Sequence, residues 1–468
     1  MRVAMSSYDP KTFQAAIFHD RPAAFAAGTD SPRAYLERCL AVIDADEPRV
    51  RAFAALDPEG ARAAADASDA RWRDGRPLSA IDGMPVGIKD LLDTKDMPTE
   101  MGCAAYQGHQ PTADNVMVAA LRAAGAVIVG KTVTAELGGA HPGPTTNPFD
   151  ASRTPGGSSS GSAAAVAAGM LPMAIGSQVG GSIIRPAGYC GNFALKPSQG
   201  ALNRGNRQTT SMSTHGPHAG SLADMWQTAI EIAARTGGDP GYPALRGPAT
   251  LPAAARPSRL IVLETQGWEE LDDTSKAAFE ELLAQVTAAG GELLRRADHP
   301  LIDAFEQATG DAKHVASAIT GWENHWSQRD LIDRAPDGVS ARAQEVVAAA
   351  EAMTPGDYEA LLLTRAQALA AHHACAPLAD AMITLACPGP APLWPGDTPG
   401  APLAPRPTGD PIFNYATSLV GAPCVSLPLL AVGGMPVGVQ VVGQPGEDAR
   451  VTAIARWLNE NLTPVSLA

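Results

Sequence analysis

Basic side chains are scarce in this chain. Lys and Arg number 35 against 49 Asp and Glu, a net charge of −14 over 468 residues. A phosphate backbone or an anionic membrane needs a basic footprint, so neither nucleic acid nor membrane is expected as a partner. No run of 18 apolar residues occurs, which argues against a membrane-spanning helix. Residues 1–16 lack the continuous apolar core of a signal peptide, so the cytoplasm is the expected location. The cysteines (Cys39, Cys103, Cys190, Cys375, Cys387, Cys424) form no Cys-x-x-Cys pair and neighbour no histidine cluster. That disfavours a zinc site and a disulfide framework, and leaves buried free thiols as the expectation. The sequence also lacks an internal repeat of fixed period.

What the chain does have is core material: 45% apolar and 18% charged residues. Residues 77–89 read as a turn feeding a short strand that ends at Lys89. Helical periodicity over 115–124 stops at Gly125, and a buried strand follows over 126–130. A small-residue helix is expected over 160–168, and strands over 171–176 and 193–196. Beyond a Gly- and Pro-rich interval at 237–257, strands are expected at 260–263, 292–294, 382–385, 425–430 and 438–443. Helices are expected at 274–289 and about 447–461, with a mostly helical segment over 301–380. Eight prolines between residues 388 and 407 precede Pro411, so 388–411 reads as a surface loop. Strands alternating with helices point to an α/β layered fold with a mixed, largely buried sheet. We read residues 1–468 as one domain, with its functional core at about 77–230.

Three positions carry chemistry. Ser158 lies in Gly156-Gly157-Ser158-Ser159-Ser160-Gly161, Ser182 in Gly180-Gly181-Ser182-Ile183-Ile184-Arg185-Pro186, and Lys89 upstream. A serine hydroxyl is a poor nucleophile until something takes its proton. Lysine is almost wholly protonated at pH 7, so Lys89 can serve as base only if burial disfavours its charge. Val86, Ile88, Leu91 and Leu92 supply apolar neighbours, and Asp90 falls on the opposite face of the strand. A second serine can act as relay, because a hydroxyl both donates and accepts. The run Val179, Gly180, Gly181, Ser182 can aim successive N–H groups at one point, as an oxyanion requires. The attacking oxygen must lie beside them, which makes Ser182 the nucleophile and Ser158 the relay. Taken singly, the Gly/Ser run could be a linker and the lysine a strand end reaching for solvent. Their combination argues otherwise.

The lysine, residues 156–167 and residues 180–187 together resemble the amidase signature family. The resemblance continues through Tyr189-Cys190-Gly191, Leu195-Lys196-Pro197-Ser198 and the C-terminal segments around 413–428 and 436–440. It implies a single α/β domain with a mixed twisted sheet covered by helices on both faces. It also implies a Ser–cis-Ser–Lys triad of Ser182, Ser158 (after a cis peptide bond) and Lys89. Oxyanion donors at Val179, Gly180 and Gly181 follow, with no metal or organic cofactor. The implied reaction is hydrolysis of a small carboxylic amide to acid plus ammonia or amine through a seryl acyl-enzyme. A small-molecule amide is then the expected partner, with a homodimer as the default assembly.

Two departures stand out. Gln178 occupies a position that is acidic in many members. Arg185 sits three residues after the nucleophile rather than two, as in malonamidase-type members, where it is thought to meet a substrate carboxylate. Arg185 and His141 are therefore candidate substrate-binding residues, although an arginine there could equally bond loop carbonyls. The acyl pocket is expected from loops around 101–103, 141–145 and 205–218, and from the segment with Trp322 and Trp326. Two alternatives remain: the catalytic subunit of a tRNA-dependent amidotransferase, and an α/β-hydrolase esterase. For the latter, Ser159 centres a Gly-x-Ser-x-Gly pattern with His215 and His218 downstream. The stretch 147–155 cannot form the strand that such an elbow needs.

Overall fold

A computed structural model describes residues 7–139, 141–205, 210–398 and 401–468. Twelve strands form one mixed sheet: β1 (Phe53–Leu56), β2 (Pro85–Lys89), β3 (Val127–Thr132), β4 (Met173–Gln178), β5 (Phe193–Lys196), β6 (Thr214–Ala219), β7 (Arg259–Val262), β8 (Glu292–Leu294), β9 (Ala381–Leu385), β10 (Cys424–Val432), β11 (Met435–Val442) and β12 (Val465–Leu467). Their order is β1-β3-β2-β4-β6-β5-β10-β11-β9-β7-β8, with β12 paired to β10. Fifteen α-helices accompany them among the described residues, in one large α/β domain.

Strand chemistry explains the layering. Along β3, Val127 and Val129 pack into one apolar cluster and Ile128 into another. Along β7, Leu260 and Val262 face one cluster and Ile261 a second. Successive side chains point to opposite faces, so both faces are buried and need helices over them. Each fully buried valine or isoleucine contributes roughly 1.5–3 kcal/mol of transfer free energy. The six cysteines are free and buried, as expected. Among the described residues, no helix is long and apolar enough to cross a membrane.

Most expected elements are present, with ends shifted by no more than three residues. The exceptions have local causes. β6 escapes the sequence reading because Thr214-His-Gly-Pro-His-Ala219 carries a proline and a glycine. Pro217 is tolerated because β5 pairs only with His218 and Ala219, beyond it. Residues 17–76 carried no expectation, yet they hold β1 and the helices Pro32–Val50 and Pro58–Arg73. The proline-rich stretch has no helix or strand over its described residues, but it does not stay at the surface. Thr408 and Asp410 are buried.

The segment 301–380 folds as helices Pro300–Ala308, Ala312–Arg334, Ala341–Glu351 and Pro355–Ala374. The Ala312–Arg334 helix packs Val315, Ala316 and Ile319 with Ile183 and Ile184. Leu331, Ile332, Val339 and Val347 close on Cys103 and Leu137. The Glu136 carboxylate ties this layer down by accepting from Ser340 N at 2.9 Å and from the Ser340 hydroxyl. The helical layer thus rests on the chain around both serine loops.

Candidate active site

Parallel pairing of β2 with β3 and β4 brings the C-terminal ends of three strands together. Lys89 ends β2 and is fully buried. Its Nζ lies 2.8 Å from Ser158 Oγ, 2.9 Å from Ser159 Oγ and 2.9 Å from Ser177 Oγ, with Ser177 O at 3.4 Å. No carboxylate among the described residues pairs with it. Desolvation therefore pushes Lys89 well below the usual lysine range.

The partners of Ser159 fix the direction of its hydrogen bond with the amine. Ser159 Oγ donates to Ser177 O and accepts from Ser177 N, both at 3.2 Å, so towards Lys89 it must accept. Ser177 Oγ can take a second N–H. In its neutral form an amine has two N–H groups and one lone pair, and the Ser158 hydroxyl at 2.8 Å is within reach of that lone pair. The sequence reading missed Ser159 and Ser177 as partners of Lys89. The register of β2 against β4, Ile88 opposite Ile175, is what places Ser177 there.

Ser158 follows a cis peptide bond with Gly157. Two interactions hold the loop. Ala135 N donates to Ser158 O at 2.9 Å, and Arg185 Nη2 donates to Gly157 O at 2.6 Å. Arg185 Nη2 also reaches Thr408 Oγ1 at 3.1 Å, while its Nε is buried without a hydrogen-bond partner among the described residues. The helix Ser160–Ala167 then starts, buried along its whole length. Gly161 permits that burial, since a Cβ there would collide with Ala52 O.

Ser182 is half-buried and linked to the other loop through Ser159 N, which donates to Ser182 O at 3.3 Å. The N–H groups of Val179, Gly180, Gly181 and Ser182 donate to no other described group. Gly180 and Gly181 are required by close approach. A Cβ at 180 would lie 2.8 Å from the Tyr415 ring, and one at 181 would lie 2.6 Å from Asn414 Oδ1. Gln178 Oε1 accepts from Ile183 N at 2.8 Å and Ile184 N at 2.9 Å. Its Nε2 donates to Ser418 Oγ at 2.9 Å and Gly180 O at 3.3 Å.

The remaining expectations meet mixed outcomes. Asp90 avoids Lys89 and pairs with Lys131 at 2.8 Å. His141 is half-buried; its carbonyl accepts from Glu136 N at 2.9 Å, and its Nδ1 has no partner among the described residues. Trp326 is 75% exposed and Trp322 stacks on Tyr358, centroids 5.7 Å apart. Of the loop 205–218, residues 206–209 lie outside the described residues. The esterase alternative loses its base. His215 and His218 are buried on β6 and pushed down to about 3 by desolvation, and Ser159 bonds Lys89 instead.

Comparisons with known proteins place the whole chain among its relatives. The chain is 31% identical over 465 residues to the A-type subunit of a glutamyl-tRNA(Gln) amidotransferase from Chloroflexus aggregans, covering 92% of this chain and 93% of that one. A solved amidase structure superimposes with a TM-score of 0.83 at 29% identity, covering 95% of this chain and all of the other. The native peptide amidase from Stenotrophomonas maltophilia follows, with a TM-score of 0.76 at 25% identity over 96% and 98% of the two chains.

The amidotransferase relative overturns one expectation, that of a lone small-molecule substrate with no nucleic acid. Net acidity argues only against direct, non-specific contact of this chain with a phosphate backbone. It says nothing about a polynucleotide brought by another subunit. Residues 34–452 match the family described as Amidase, and this chain belongs to that family of enzymes acting on amide C–N bonds.

Proposed function

We propose that the chain cleaves a carboxamide through an acyl-enzyme on Ser182, as the catalytic subunit of an amidotransferase that acts on a tRNA-borne glutamyl group. The observation that carries the chemistry is the buried Lys89 amine, 2.8 Å from Ser158 Oγ with no counter-charge among the described residues. Ser182 Oγ attacks the carbonyl carbon and its proton passes to Ser158, whose own proton moves to the Lys89 lone pair. The N–H groups of Val179, Gly180, Gly181 and Ser182 receive the oxyanion. The returning proton converts the leaving nitrogen to ammonia, and water then releases the acid by the same route. Similarity to the amidotransferase relative over nearly the whole of both chains supports delivery of that ammonia to an acceptor. Arg185 is buried and bonds Gly157 O and Thr408 Oγ1 through Nη2, which supports a role in holding the loop that carries Ser158.

Likeness to free-standing amidases supports a second reading, in which water is the only acceptor. One experiment separates the two. Ammonia release from glutamine, asparagine and peptide amides is measured with the chain alone and with proteins that copurify with it. The proposal expects Ser182-dependent release that rises sharply when partner and glutamyl-tRNA are present. Full turnover by the chain alone, unchanged by either, would leave the amidase chemistry and remove the transfer. Undiminished turnover by Ser182→Ala would remove both.

A further inference from the structure

Gln178 ends β4 and is 1% exposed, in contact with the loop that carries Ser182. We propose that Gln178 is a positioning residue for the oxyanion loop, acting with Ser418, and that this loop requires a carboxamide at 178. The inference rests on Ser182 being the nucleophile.

The side chain meets two opposite demands within a six-residue turn. One end faces two donors, Ile183 N–H and Ile184 N–H, and must accept. The other faces the Gly180 carbonyl and must donate. That asymmetry fixes which end is oxygen and which is nitrogen. Ser418 completes the clasp from a distant part of the chain: its hydroxyl accepts from Gln178 Nε2 and donates to Gly180 O at 2.6 Å. Gly180 O therefore receives two hydrogen bonds.

The consequence follows from peptide planarity. In a planar trans peptide the C=O and the following N–H point in opposite directions. Pulling Gly180 O towards Gln178 and Ser418 directs Gly181 N–H away from them. Gly181 N–H is one of the four N–H groups that donate to no other described group. Capping Ile183 and Ile184 pins the far end of the same turn, just beyond Ser182. With no side chains at 180 and 181 to limit rotation, the clasp supplies the order that glycine lacks. A carboxylate at 178 would still accept from Ile183 and Ile184. It would, however, present an acceptor to Gly180 O and draw the Ser418 hydroxyl to itself.

The test needs no knowledge of the natural substrate. A fluorophosphonate probe reacts by attack of Ser182 Oγ on phosphorus. The O–P bond forms, the P–F bond breaks, fluoride leaves, and the serine proton passes through Ser158 to Lys89. The phosphoryl oxygen takes the oxyanion position. Labelling rates of wild type, Gln178→Glu and Ser418→Ala are measured, normalised to the fraction that labels, with melting curves alongside. The expectation is a fall of about tenfold to a hundredfold for Gln178→Glu, in the rate of bond formation rather than in probe affinity. A smaller fall is expected for Ser418→Ala, and the double variant should be no slower than Gln178→Glu. A merely structural role would lower melting temperature or the active fraction and leave the per-site rate alone. Rates within twofold of wild type in folded variants would overturn the clasp while Ser182 still labelled. If Gln178→Glu failed to fold, an unchanged rate in Ser418→Ala would overturn it too. A wild type whose Ser182 took no label would remove the nucleophile assignment and the clasp together.

Discussion

Lys89 and Lys131 lie one position out of register on neighbouring strands, Lys131 opposite Ile88 and Lys89 opposite Thr132, and both are sealed from solvent. Lys131 Nζ meets the Asp90 carboxylate at 2.8 Å, Thr99 Oγ1 at 2.6 Å and Pro98 O at 3.0 Å. Lys89 Nζ meets three hydroxyls. Burial pulls both ammonium groups down, but only Lys131 has an opposing carboxylate to hold its proton. Burial also pushes Asp90 up, against the pull of Lys131. The same residue type, one strand apart, thus meets a carboxylate in one place and hydroxyls in the other. The two surroundings differ in what they ask of the amine, since a hydroxyl can accept from a neutral amine and donate to it, whereas a carboxylate demands an ammonium.

The largest effect that tests this contrast is on turnover. Lys89→Ala and Ser182→Ala should each lower kcat on the order of 10⁴-fold or more, read as ammonia release. Asp90→Asn should do the reverse and spare kcat within several-fold. It strands the Lys131 charge and should cost about 3–5 kcal/mol of stability in denaturant titration. Loss of turnover in folded Asp90→Asn would break the distinction between the two lysines.

Stability against pH sharpens it further. Lys89 has a folded pKa below its unfolded value, so the unfolded chain binds more protons and stability rises with pH. The deficit is largest at acidic pH and vanishes above the ordinary lysine pKa of about 10.4. Lys89→Met should therefore melt a few degrees higher than wild type near neutrality, with an advantage that shrinks as pH climbs towards 10. Lys131→Met should melt lower, because it leaves Asp90 buried and unpaired. The smallest effect concerns Ser159. Its alanine variant removes one acceptor from Lys89 and should cost about tenfold in kcat. Complete loss of activity would restore Ser159 as a nucleophile candidate.

Much of this site was legible because its signals are local. An apolar run ending in lysine reads as a buried strand, and glycine-flanked serines read as tight loops. The partners of Lys89 were not legible in the same way. Ser177 depends on which strand lies beside β2, and Ser159 on the path of the chain after the cis peptide. Thr408 and Ser418 lie more than 200 positions from the groups they hold, so no local pattern announces them. β6 stayed hidden because strand propensity penalises Gly216 and Pro217, while its neighbours impose the extended form. Net charge, a property of the whole chain, misjudged the partners for a different reason: assemblies are built from patches and subunits.

The proposed chemistry needs Lys89 without its proton at neutral pH in the folded protein. NMR of protein labelled with ¹⁵Nζ-lysine, with the resonance assigned by its absence in Lys89→Met, reads that state directly. The account predicts a neutral-amine shift at pH 7 that converts to the ammonium value only on acidification. An ammonium shift persisting from pH 7 to pH 10 would contradict it.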